Sequence, residues 1–118
     1  MSYDNVGFEK WDSIDVVAEE NGHMVLSIFT IDEWGDHVNM AELRVKIKHK
    51  LVYYLDAIES GFLHEKYPQF KDLPIKITIF HASPVPQEVL TLIQFIQSRL
   101  LTPRNIKVEY IYEAGMTL

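Results

Sequence analysis

The chain has 118 residues, of which 47% are hydrophobic, which is enough for one core of ordinary size and leaves no room for a second domain, so residues 1–118 are expected to fold as one. It has no cysteine, which excludes disulfides, thiolate metal sites and a cysteine nucleophile, and it has no apolar run near the roughly 18 to 20 residues that span a bilayer, so a soluble, cytoplasmic protein without membrane contact is expected. The formal charge of −6 is uneven: residues 1–36 carry nine acids against Lys10, a net of −8, and residues 37–50 carry a net of +3.

An acidic amino-terminal third argues against nucleic acid as the partner, because affinity there comes from neutralising phosphates. It suits a basic protein partner instead.

Taken in chain order, "SIDVVAEENGHMVLSIFT" reads as two alternating strands around Asn21-Gly22, a strong hairpin signal. A three-residue loop, Glu20 to Gly22 with a bulge, pairs Ala18 with Leu26 and Val16 with Ile28; this keeps Ile14, Val16 and Ala18 on the face of Met24, Leu26 and Ile28. A two-residue loop pairs Val17 with Leu26, and the longer loop is expected. From Val38 to Ser60, Leu43, Ile47, Leu51, Tyr54, Leu55 and Ile58 recur at helical spacing, with Asp36 or Asn39 as the cap and Gly61 as the left-handed stop. "PIKITIFHA" alternates as a half-buried strand. The helix "PQEVLTLIQFIQSRLL" follows, opened by Pro86, and then the strand "NIKVEYIY", with Ile106, Val108 and Tyr110 on one face.

The order is ββαβαβ. Right-handed crossovers place both helices on the same side of one sheet. The expected fold is therefore an α/β (α+β) two-layer sandwich: a four-stranded mixed sheet in the order 1-2-3-4, with only the first strand antiparallel, and two helices on one face.

The run from "SIDVVAEENGHMVLSIF" through "EWGDH", "KIKHKLVYYLDAIESG" and "YP" resembles a family of small bacterial proteins known as domain of unknown function 6572. The likeness rests on Ile14-Asp15, Trp34, Lys46-Ile47, Tyr54-Leu55, Glu59-Ser60-Gly61 and Tyr67-Pro68, and it covers roughly residues 13 to 70 well. It implies a fold and carries over no catalytic residue.

Four constellations invite a chemical reading. Glu59, His64 and Glu65 lie close together, but no His-x-x-x-His spacing accompanies them, and they read as a solvated helix end with Phe62, Leu63 and Tyr67 packing back on the core. "DEWGDH" offers Asp32, Glu33, Asp36 and His37 as oxygen-rich ligands without the alternating spacing of a calcium loop, so it reads as an acidic cluster at a helix start. "RVKIKHK" pairs Arg44 with Lys48 and Lys46 with Lys50 at one-turn spacing, the pattern of a solvated helix face. His81 and Ser83 stand at the carboxyl end of the third strand, where α/β proteins tend to place ligands, and are the candidate ligand-binding pair; no Gly-x-Ser-x-Gly elbow or partner acid makes them hydrolytic. No metal site and no cofactor are expected.

The sheet face away from the helices departs from a purely polar pattern. It is expected to hold Val17, Val25, Phe29, Phe80 and Ile111, with Val17, Phe29, Phe80 and Ile111 as the interface residues. The amino-terminal segment 1–12, with Tyr3, Phe8 and Trp11, offers an alternative cover. The leading expectation is a non-enzymatic interaction protein that binds itself, as a homodimer, or a protein partner through that face. The first alternative is an acidic immunity- or inhibitor-like protein meeting a basic toxin through Asp4, Glu9, Asp12, Asp32, Glu33 and Asp36. The second is a small-molecule enzyme with its site at His81 and Ser83.

Overall fold

The computed structural model describes residues 7–30, 34 and 39–113. The elements in chain order are β1 (Val16–Glu20), β2 (His23–Thr30), α1 (Met40–Glu59), the short α2 (Phe62–Lys66), β3 (Ile75–His81), α3 (Gln87–Ile96) and β4 (Lys107–Tyr112). The sheet order is β1-β2-β3-β4, with β1 antiparallel to β2 and the other pairings parallel. The expected class and strand order stand; α2 and three single 3-10 turns are added to the expected elements.

The two-layer build follows from the alternation. Met24, Leu26 and Ile28 of β2 and Ile77 and Ile79 of β3 are buried in one cluster with Leu43, Ile47, Leu51 and Tyr54 of α1 and Val89, Ile93 and Ile96 of α3. Burying a side chain of this kind is worth about 1.5–3 kcal/mol, so this shared layer is the main source of stability.

Local chemistry sets the boundaries of α1. Asn39 caps its start, its side-chain oxygen accepting the Glu42 amide at 3.2 Å. Gly61 ends it with φ +82°, a left-handed conformation that costs glycine little. Asp36, the other expected cap, lies outside the described residues. Pro86 is the residue before the first turn of α3 rather than within it. The carboxyl end of α3 continues as one π-helical turn, Gln97–Leu101, before the 3-10 turn Thr102–Arg104.

The hairpin corrects the expected register. Asn21 and Gly22 both have positive φ, 51° and 77°, and close a two-residue loop of the kind whose twist matches paired strands. Val17 therefore pairs with Leu26, Val16 with Ser27 and Ala18 with Val25. The one-residue difference exchanges the two faces of β1. Val17 joins the edge of the core, while Val16 moves to the opposite face and is 41% exposed.

Candidate functional site

The register also decides the position of Asp15. It lies just before β1, on the helix side of the sheet, where its Oδ2 accepts the amides of Gly7 at 2.8 Å and Phe29 at 3.0 Å. Its Oδ1 meets Lys50 Nζ at 2.5 Å, with neither side chain exposed. Lys50 also donates to the carbonyls of Gly7 at 2.7 Å and Lys10 at 3.0 Å. The Tyr54 hydroxyl accepts the Asp15 amide at 3.1 Å and donates to the Ser27 carbonyl at 2.9 Å. Lys50 thus corrects the reading that placed it on the solvated face of α1.

The electrostatics of this cluster follow from burial. Burial pushes the Asp15 carboxyl above its ordinary range, while the bond to Lys50 and the amides of Gly7 and Phe29 pull the other way. Tyr54 is pushed well above the usual phenol range, first by burial and then by the neighbouring Asp15 charge. All three donors of this ammonium and both oxygens of this carboxylate bond to chain atoms, so the arrangement holds residues 7–15 to α1 and β2. A cleft of about 270 Å³ opens beside it, lined by residues including Asp12, Ile14, Tyr53 and Lys66. That is below the size usual for a small-molecule pocket.

The described part of the amino-terminal segment, residues 7–12, lies against α1. Phe8 is fully buried, its ring 6.5 Å from Trp34, and Trp11 rests 5.0 Å from His49 of α1. Tyr3 lies outside the described residues.

The sequence candidates separate in space. Glu59 is ion-paired to Arg104. Leu63 is buried and Tyr67 packs on the core, whereas Phe62 is 53% exposed, a correction to its expected packing. Among the described residues no three metal-ligating side chains come together. Asp32, Glu33, Asp36 and His37 lie outside the described residues. So do Asp4 and the side chain of Glu9, which leaves Asp12 as the described member of the acidic set, and it is exposed. His81 Nδ1 contacts the Ser83 carbonyl oxygen at 2.9 Å, and its ring meets Tyr112 edge-on at 5.6 Å. The Ser83 partner is main chain rather than hydroxyl, so this contact tethers the loop after β3.

The far sheet face keeps three of its four expected interface residues. Phe29 and Phe80 are paired across β2 and β3, their rings stacked at 4.9 Å with an interplanar angle of 10°. Ile111 is paired with Phe80 on β4. Phe29, Phe80 and Ile111 are half-buried, and Val25, Ser27 and Thr78 beside them are buried. Val17 has left this face, and Val16 takes its place. Charges on the face balance: Lys76 pairs with Glu109 at 2.7 Å, and Lys107 and Glu20 stand at its borders.

The comparisons with known proteins give a family and no activity. The model of a family of unknown function, DUF6572, matches residues 6–113. The chain belongs to this family. No curated protein and no solved structure matches it. Among the described residues, no helix is long and apolar enough to cross a membrane.

Proposed function

We propose that this member of DUF6572 is a non-enzymatic interaction protein whose far sheet face binds a second copy of the chain. The observation that carries this reading is the stacked Phe29–Phe80 pair at the carboxyl end of the two central strands of that face. Aromatic side chains contribute large contact area at small entropic cost, which is why they concentrate in interfaces. The charge pattern selects the occupant. Lys76 and Lys107 offset Glu20 and Glu109, so two copies meet without net repulsion, and the Lys76–Glu109 pair offers each copy both signs.

The test is absolute mass by light scattering behind a sizing column over a hundredfold dilution, with the parent beside Phe29→Glu/Phe80→Glu. A parent dimer that the variant dissociates supports the reading. A parent that stays monomeric throughout, or a dimer that the variant leaves intact, overturns it.

A further inference from the structure

The outer surface of the helical layer differs from the far sheet face in charge and shape. Phe95 of α3 and Val45 of α1 are 58% and 52% exposed, unusual values for large apolar side chains on neighbouring helices. They do not stand singly. Two adjoining depressions of about 520 and 500 Å³ run between α1 and α3, sharing Arg44, Leu92 and Phe95. The floor is apolar, and the rim carries Arg44, Lys48 and Arg99, with Glu88 as an acid at one end.

The three cations are held ready. Arg44 and Lys48 stand one turn apart on α1. The Arg99 guanidinium lies over the Phe95 ring at 5.0 Å, a stacking that fixes its plane and leaves its N–H groups for an anion. Among the described residues, none of the three is ion-paired. The π-helical turn Gln97–Leu101 supplies Arg99 and Leu100 to this rim; such turns are rare and concentrate at functional sites.

We infer that this groove binds an acidic amphipathic helix of a partner protein. Apolar side chains at helical spacing would fill the two depressions, and flanking Asp or Glu residues would meet Arg44, Lys48 and Arg99. A second copy placed symmetrically on the same groove would set these cations against their own kind, so the occupant differs from that of the far sheet face. Nucleic acid suits the groove poorly, because an apolar floor offers nothing to a phosphate backbone.

The test presents the intact chain to a random library of peptides about four helical turns long. It then measures binding of the enriched peptides to the parent, to Arg44→Glu/Arg99→Glu and to Phe95→Ala, each checked for its fold by circular dichroism. The expected pool is rich in Asp and Glu, with apolar residues at i, i+3 or i+4, and i+7, and its affinity falls about tenfold or more in both variants and with added salt. A neutral or basic pool, or affinity unchanged in the folded variants, overturns the inference. So does capture of the parent by phosphatidylserine vesicles with no peptide enriched, which would assign the groove to a lipid surface. Because Phe29→Glu/Phe80→Glu leaves this groove intact, that variant should bind the peptides as the parent does, whatever its mass.

Discussion

Lys50 and Asp15 meet at 2.5 Å with neither side chain exposed to solvent, which makes a residue in mid-helix the anchor of a segment that precedes the first strand. Breaking such a pair by removing one partner leaves a buried charge uncompensated, which costs about 3–5 kcal/mol. Lys50→Met is therefore expected to lower unfolding free energy by about that amount in urea denaturation. Lys50→Met/Asp15→Asn, which removes both charges and keeps an acceptor for the Gly7 and Phe29 amides, should cost clearly less than the two single changes added together. Additive losses would show that the charges do not act as a pair.

Tyr54 gives the fold an alkaline limit. Its phenol keeps its proton in the folded state above the ordinary value, whereas the unfolded chain releases it near pH 10, so the unfolded state binds fewer protons there. Its contribution is fully present below about pH 10 and is lost as pH rises toward the folded value. Tyr54→Phe should flatten the alkaline decline by up to about 1.4 kcal/mol per pH unit. At neutral pH the same change should cost about 1–2 kcal/mol for the two lost hydrogen bonds. Unfolding free energy measured from pH 8 to 11 checks both outcomes.

At Gly61 the cost of a side chain is purely conformational. An added Cβ meets no atom within 4 Å, yet φ is +82°. Gly61→Ala should lower stability by about 1 kcal/mol, and Gly61→Asn by less, since asparagine tolerates the left-handed region. Equal losses in thermal unfolding would indicate a packing effect instead.

The Glu59–Arg104 pair joins the end of α1 to the turn before β4, with side chains 49% and 40% exposed. Exposed pairs contribute little, so Glu59→Gln should change stability by no more than about 0.5 kcal/mol. A larger loss would mean that Glu59 does more than close a helix end.

The strand order, the two helices and the cap and stop of α1 were legible because each rests on local chemistry: Ile75, Ile77 and Ile79 alternate, Asn39 caps and Gly61 turns left-handed. The register of β1 was not. Val16, Val17 and Ala18 are all apolar, so alternation could not say which face turned inward. The loop that preserved the largest apolar set was the wrong one: Asp15, just before β1, meets Lys50 on the helix side of the sheet, and Ile14 packs at the core edge without belonging to the strand. Lys50 was hidden among Arg44, Lys46 and Lys48, although a signal was present. It lies three residues after the buried Ile47 and four before the buried Tyr54, on the inward stripe of α1. A basic residue on that stripe calls for a buried acid. The groove between α1 and α3 was illegible for another reason: Val45 and Phe95 come from separate helices, and no spacing within either one announces their meeting.

The stacking of Phe29 on Phe80 has a kinetic meaning. The two rings belong to neighbouring parallel strands, yet the chain between them includes all of α1 and α2, and a pairing this distant in sequence must wait for a long loop to close. The Asn21-Gly22 hairpin can form in microseconds; the aromatic pair arises only when the middle of the sheet zips shut. A nascent or clipped chain that holds one ring cannot display the other, so an association that reads both rings distinguishes finished molecules from unfinished ones.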